Sequence, residues 1–304
     1  MPLVINTNVA SLNAQRHLQA SRSDLETAME RLSSGKRINS AMEDAAGLTI
    51  AHSLETKIKS LETAARNAND AISLIHLGEG ALDAVSSMLV RMRELATQAL
   101  NGTYSVTDRS NLDAEFQQLS DEIDRISNNT FFNGISVIGQ KLTASGGTAD
   151  YDADGTSLGT TDNRLSFQIG YESTDSIKLS VSDMSSTVIG VVTGNNGGTG
   201  VAIDSQDITT VTKAGYALTA VDKALTQVDN YRVEMGSVAN RLDHTLENLY
   251  SRIEQQTAAK SRIEDADYAV ESANLARAQV LQQAGTAMLA QANASTMNVL
   301  SLLK

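Results

Sequence analysis

The residue types that usually carry enzymatic chemistry are sparse and scattered in this sequence. Its four histidines, His17, His52, His76 and His244, stand singly, and no His-Glu-x-x-His pair occurs that could hold a zinc ion. Without cysteine there is no thiol nucleophile, thiolate metal site or disulfide. Gly78-Glu79-Gly80 and Ser145-Gly146-Gly147 lack the strand–turn–helix setting of a phosphate loop. Carboxylates gather at Glu264, Asp265 and Asp267, but acids beside a helical pattern read as helix-start charges or ion-pair partners before they read as metal or acid–base ligands. No catalytic, cofactor-binding or metal-ligating residue is therefore assigned. The chain reads as a structural protein and not an enzyme.

Composition narrows the class further. Of 304 residues, 41% are hydrophobic but only 4% aromatic, with no Trp and a single Pro at Pro2. The core must be aliphatic, which suits long helices packed closely side by side. A net charge of -12 repels phosphate backbones, which argues against nucleic-acid binding. No stretch approaches the ~18 consecutive apolar residues of a membrane span, so membrane insertion is not expected. The segment Met1-Pro2-Leu3-Val4-Ile5-Asn6 lacks the basic flank and apolar run of a secretory signal. Either the protein stays in the cytoplasm or it leaves by a route that reads no cleaved signal.

The elements follow from periodicity. Leu18, Ser21, Leu25, Ala28 and Leu32 alternate at steps of three and four until Gly35 breaks the pattern. A second seam runs from Leu54 and Ile58 through Leu61, Ala65, Ala68, Ile72, Ile75, Leu82 and Leu89 to Ala96, a coiled-coil pattern over many turns. Beside it lies another stripe, Ala71, Leu74, Leu77, Ala81 and Val85, open to use as core or as an intersubunit face. Asn101-Gly102 supplies a turn, and Leu112, Phe116, Leu119, Ile123 and Ile126 mark a shorter helix capped near Thr107 or Asp108. Leu165, Phe167, Ile169 and Tyr171 alternate, as do Ile177, Leu179 and Val181, with Glu172 to Ser176 between them, which predicts a β-hairpin. The stretches 143–163 and 186–210 read as exposed loops. From Leu218 through Val221, Leu225, Val228, Met235, Leu242 and Leu249 to Ile263 the heptad returns, and its register extended reaches Val270, Arg277, Leu281, Ala284 and Met288. The expected fold is mostly α, a long antiparallel helical hairpin or coiled coil of paired N- and C-terminal arms with a small β-hairpin-containing central region.

The terminal motifs resemble a known family. Leu32-Ser33-Ser34-Gly35-Lys36-Arg37-Ile38-Asn39-Ser40 with Asp44-Ala45-Ala46-Gly47-Leu48, and Ile5-Asn6-Thr7-Asn8 before them, are similar to the N-terminal signature of bacterial flagellin. Ser261-Arg262-Ile263-Glu264-Asp265-Ala266-Asp267-Tyr268, the run Leu281–Asn293 and Asn298-Val299-Leu300-Ser301-Leu302-Leu303 resemble its C-terminal signature. The resemblance covers about residues 1–140, 165–185 and 210–304. It implies a secreted subunit of the extracellular flagellar filament, exported unfolded by the flagellar type III system for swimming motility. A hook–filament junction protein is the alternative, although Asp44-Ala45-Ala46-Gly47-Leu48 favours the filament subunit.

The same resemblance implies a radial division. Residues 1–43 with 265–304 would form inner-tube helices, residues 44–185 with 210–264 an outer-tube core including a hairpin at about 164–182, and 186–209 a short solvent-exposed variable loop. Leu18, Leu25, Leu32, Leu281, Ala284, Met288, Val299, Leu300 and Leu303 are the positions expected to carry inner-tube assembly. The terminal ~40 residues, rich in Ala, are expected to order only on assembly. Ala294-Ser295-Thr296-Met297 stands where many relatives carry a Pro, which leaves the last helix without its usual kink. Implied partners are further copies of the chain, an export chaperone on the C-terminal segment, and the filament cap and hook-junction proteins. Arg91-Met92-Arg93-Glu94-Leu95-Ala96 resembles the stretch read by an animal Toll-like receptor, so Arg91, Leu95 and Glu115 would carry receptor recognition or protofilament contact.

Overall fold

The computed structural model describes residues 8–139, 164–191 and 202–302, with Arg164 and residues 295–302 as backbone alone. Helices α1 (Val9–Ser34), α2 (Ala45–Leu100) and α3 (Val106–Asn129) are followed by strands β1 (Phe131–Phe132), β2 (Ile135–Ser136), β3 (Arg164–Gln168) and β4 (Ser176–Ser180). A single 3-10 turn (Ile203–Ser205) precedes α4 (Val211–Glu264) and α5 (Tyr268–Leu302). The chain divides into two compact units, Met1–Lys59 with Arg252–Lys304, and Ser60–Ser251.

In the first unit α1 and α5 run antiparallel. The Asn8 side-chain amide donates to the Ala292 carbonyl at 3.0 Å, and the Ser11 hydroxyl to Asn293 Oδ1 at 2.9 Å. At the other end of the pair Arg31 meets Glu271. The α1 seam is Ser11, Ala14, Leu18, Ser21, Leu25, Ala28 and Leu32, as its periodicity predicts. On α5 the buried or half-buried positions are Glu271, Asn274, Leu275, Ala278, Gln282, Gly285, Leu289 and Ala292. Gly285 lies under Leu18, whose Cδ1 would come within 3.0 Å of any Cβ at that position.

That seam corrects the extended register. Val270, Arg277, Leu281, Ala284 and Met288 do not face α1; the contact line sits one position later. The α4 seam holds through Ile263, but α4 ends at Glu264 and the heptad restarts beyond Asp265–Asp267. Proline plays no part in the break. Asp267 accepts from the amides of Ala269 (2.9 Å) and Val270 (3.3 Å), capping α5, while Lys36 and Asp265 form an isolated antiparallel bridge. Beyond Ala294 the backbone of α5 continues as helix to Leu302.

The second unit packs α2, α3 and α4 around one aliphatic core that includes Leu74, Leu82, Leu89, Leu95, Phe116, Ile123, Val221 and Leu242. Ala71, Leu74 and Val85 of the accessory α2 stripe are in this core, so it is mainly a broadened core face; Leu77 is exposed. Helix α3 is capped by Ser105, ahead of the expected Thr107 or Asp108, with Asp108 as its capping-box partner. The β3–β4 hairpin pairs Leu165 with Leu179 and Phe167 with Ile177, but β3 ends at Gln168, so Ile169 and Tyr171 belong to the connecting turn instead of the strand. A smaller β1–β2 hairpin turns at Asn133-Gly134, where both residues have positive φ (49° and 81°).

The segment expected as an exposed loop over 186–209 is, where described, a strap held on the helices. Ser186, Ile189, Ile203 and Ile208 are buried. Asp124 accepts from the Ser186 amide and hydroxyl, both at 2.7 Å, and Asp113 from the Ile208 amide at 2.8 Å. Gln227 Oε1 accepts from the Gly190 amide at 2.8 Å. Buried loop backbone is tolerated here because helix side chains satisfy it. Residues 192–201 and the 143–163 stretch lie outside the described residues.

Candidate functional site

Two features of the first unit can do work: an ionic clasp beside the helix junctions and an open apolar face on α5. Gly35 ends α1 in the left-handed conformation (φ 71°), its amide bonded to the Arg31 carbonyl at 2.9 Å. The chain then runs antiparallel to the α4–α5 junction. Arg37 N–H donates to the Glu264 carbonyl at 2.6 Å and Ala266 N–H to the Gly35 carbonyl at 2.9 Å. The Arg37 guanidinium donates to the Ile263 carbonyl at 2.6 Å, a cation at the C-terminal end of α4.

Charges lock this arrangement. The buried Glu264 carboxylate pairs with Lys36 and, at 3.6 Å, with Lys260. Lys260 also reaches Glu55 at 3.4 Å, and Glu55 pairs with Lys59 at 2.9 Å. Arg31 bridges Glu271 (3.2 Å) and Glu43 (3.1 Å). The acids that cluster in sequence therefore serve different ends, since Asp267 caps a helix whereas Glu264 pairs within its own chain. Asp44 accepts from the Gly47 amide at 2.8 Å at the start of α2, and a Cβ on Gly47 would lie 2.8 Å from Ile38 Cδ1. Any side chain there would displace Asp44 and Ile38.

Hydrogen bonds from Lys59 and then Lys260 hold Glu55 down at about 2, against an ordinary 4.5. The Asn39 backbone amide, helped by Arg31, lowers Glu43 as well. Both carboxylates have depressed folded-state values, so their stabilisation is present above the ordinary range and disappears as pH falls through the folded values. The clasp should hold above the ordinary carboxylate range and loosen below it. Amide exchange at Arg37 and Ala266, corrected for intrinsic rate, should lose protection between pH 4.5 and about 2. Protection that persists to pH 2 would show that backbone pairing alone holds the junction.

On α5 the face away from α1 carries Tyr268, Val270, Val280, Leu281 (48% exposed), Ala284 and Met288 (64% exposed). Leu281, Ala284 and Met288 thus stand open, while Leu18, Leu25 and Leu32 are half-buried in the α1–α5 seam. The side chains of Val299 and Leu300, and the whole of Leu303, lie outside the described residues.

In the second unit Arg91 donates from Nε to Glu115 at 2.8 Å and from Nη1 to Glu94 at 2.9 Å. These acids, Glu115 first, raise the Arg91 pKa and keep the guanidinium charged. Arg91 and Glu115 are side by side at the surface, but Leu95 is 0% exposed and belongs to the core. A cleft of about 400 Å³ near the strap is lined by Asp183, Met184, Ile189, Asn230, Tyr231 and Glu234. The Tyr231 hydroxyl donates to the Val137 carbonyl at 3.1 Å, and burial pushes its pKa up, so this phenol is a structural tie. Among the described residues no helix is long and apolar enough to cross a membrane.

Comparison with known proteins identifies both helical ends of the chain. The bacterial flagellin N-terminal helical region matches residues 5–143, and the bacterial flagellin C-terminal helical region matches residues 218–303. A flagellin of Halalkalibacterium halodurans is 40% identical over 302 residues, covering 99% of this chain and 100% of that protein. A flagellin of Bacillus subtilis is 40% identical over 314 residues, covering 99% of each. A solved structure assigned as a flagellar hook-associated protein from Vibrio parahaemolyticus aligns with TM-score 0.56 at 16% identity, over 73% of this chain and 100% of that one, a likeness of fold. The chain belongs to the bacterial flagellin family.

Proposed function

We propose that this chain is the repeating subunit of an extracellular flagellar filament, exported unfolded through the type III apparatus, and that the open face of α5 is where copies pack around the lumen. One observation carries the reading: α1 covers a single seam of α5, while Leu281, Met288 and the alanines on its other sides remain in water. A helix that is small and apolar around most of its circumference is stable only when several neighbours surround it. The radial division places residues 1–43 and 265–304 at the lumen and 44–185 with 210–264 outside them. Before assembly the same α5 face suits an export chaperone, and the ends of the polymer suit cap and hook-junction proteins. Arg91 and Glu115 offer an accessible ion pair for receptor recognition.

Two measurements test the reading. Purified chains added to short filament seeds should elongate them into long filaments; addition that stops after a few copies would favour a hook–filament junction role. Amides of residues 270–300 should exchange freely in dilute monomer and become protected in the polymer. The α1–α5 seam is mixed, with Leu18, Leu25, Leu32, Leu275 and Leu289 interrupted by Ser11, Ser21, Gln282 and Gly285, so its apolar area is small for holding two helices together alone. Strong protection of that segment in dilute monomer would overturn assembly-coupled ordering.

A further inference from the structure

We propose that Asn101 is a site of spontaneous deamidation, at which the α2–α3 corner of the folded chain is chemically altered by water alone. Three Asn-Gly pairs occur, at 101–102, 133–134 and 196–197, the last outside the described residues. In sequence they are equivalent, but the fold separates the first two.

Asn101 follows the last residue of α2, and both it and Gly102 are exposed. Thr103 N–H donates to Asn101 Oδ1 at 3.3 Å, an Asx-turn that folds the side-chain carbonyl back over the Gly102–Thr103 peptide. Space around Gly102 is open: a Cβ there would meet nothing within 4 Å. That bond keeps the side-chain carbonyl on the Gly102 side of the residue, and the Gly102 Cα carries no side chain and has no neighbour crowding it. In the reaction the Gly102 nitrogen gives up its proton to solvent base and attacks Asn101 Cγ. The bond from Cγ to the side-chain nitrogen breaks and ammonia leaves, closing a succinimide. Water then opens either ring carbonyl, yielding aspartate or isoaspartate. No oxidant or reductant is involved.

Asn133 and Gly134 are also exposed, but they form the two-residue turn between β1 and β2 at φ 49° and 81°. The Phe132–Ile135 pairing fixes that turn, and Asn133 must leave the left-handed region before it can cyclise.

The product at position 101 would change the corner. The Asn101 backbone carbonyl accepts from Arg109 Nη2 at 3.0 Å, while Arg109 Nε donates to the Ala99 carbonyl at 2.8 Å. Isoaspartate inserts a methylene into the main chain, displacing that carbonyl from the buried guanidinium. It also sets a negative charge at the C-terminal end of α2, where the helix dipole disfavours it.

The experiment is peptide mapping by mass spectrometry of the full chain aged in isotopically heavy water at mildly alkaline pH, folded and in denaturant. In the folded chain the peptide containing Asn101 should gain label about tenfold faster than the peptide containing Asn133. In denaturant the two should convert at similar rates, and Gly102→Ala should suppress conversion at 101 alone. Equal folded-state rates, faster conversion at 133, or no conversion at 101 would each overturn the proposal.

Discussion

Replacing Leu95 by Ala is expected to destabilise the 60–251 unit by about 2–5 kcal/mol, the usual range for emptying a fully buried leucine site. Arg91→Ala should leave the unfolding midpoint nearly unchanged, because the Arg91–Glu115 pair is 45% exposed on both sides and screened by water. Urea unfolding followed by circular dichroism measures both. The contrast matters because Arg91, Leu95 and Glu115 form one group by resemblance, yet Leu95 is 0% exposed beside Met92 and Ala96 in the core. Loss of receptor signalling in Leu95→Ala would therefore report loss of the folded surface. Leu95→Met, which conserves volume and costs under about 1.5 kcal/mol, separates the alternatives. A stably folded Leu95→Met that lost signalling would indicate direct contact. An unchanged midpoint in Leu95→Ala would contradict the core position itself.

The same residue shows which parts of the fold are legible in sequence. Leu95 lies just off the α2 heptad line of Leu82, Leu89 and Ala96, and its burial follows from a core face wider than a two-stranded seam. The α1 and α4 seams and the alternation of the two β3–β4 segments are local patterns of period 3.5 and period 2, so they can be read directly. The β1–β2 hairpin carries a readable signal, Asn-Gly between short apolar pairs, but strands of two residues are too short to show alternation within a polar region. Other features depend on distant partners. The strap is buried because Asp113, Asp124 and Gln227, all on helices remote in sequence, satisfy its backbone. The α4–α5 break depends on Lys36 and Arg37, more than 220 residues away, pairing with the chain at Ile263–Ala266. The window around the break holds one local signal, Asp267 as the N-cap of α5 among acids that read as helix-start charges, but not the pairing with Lys36 and Arg37.

The clasp has a consequence for assembly, because the register it resets decides which side of α5 remains open. If the heptad of α4 continued unbroken, Leu281 and Met288 would face α1, and Gln282 and Leu289 would face away. With the break, the assignments exchange. Leu281→Asp with Met288→Asp is therefore expected to abolish elongation from seeds while leaving the unfolding midpoint of the 60–251 unit unchanged. Burying a leucine or methionine side chain contributes about 1.5–3 kcal/mol, and a carboxylate forced into the same contact adds an unpaired charge. Each 1.4 kcal/mol lost raises the concentration needed for growth about tenfold, so the double substitution should move it beyond reach. Leu275→Asp with Leu289→Asp places the same charges in the α1–α5 seam and should fail for another reason, by separating the helix pair. A second-site change distinguishes the failures: Gln282→Leu, which makes the seam more apolar, should partly rescue the seam variant and do nothing for Leu281→Asp with Met288→Asp. Elongation by the 281/288 variant at wild-type rate would mean that the open face of α5 is not the packing surface.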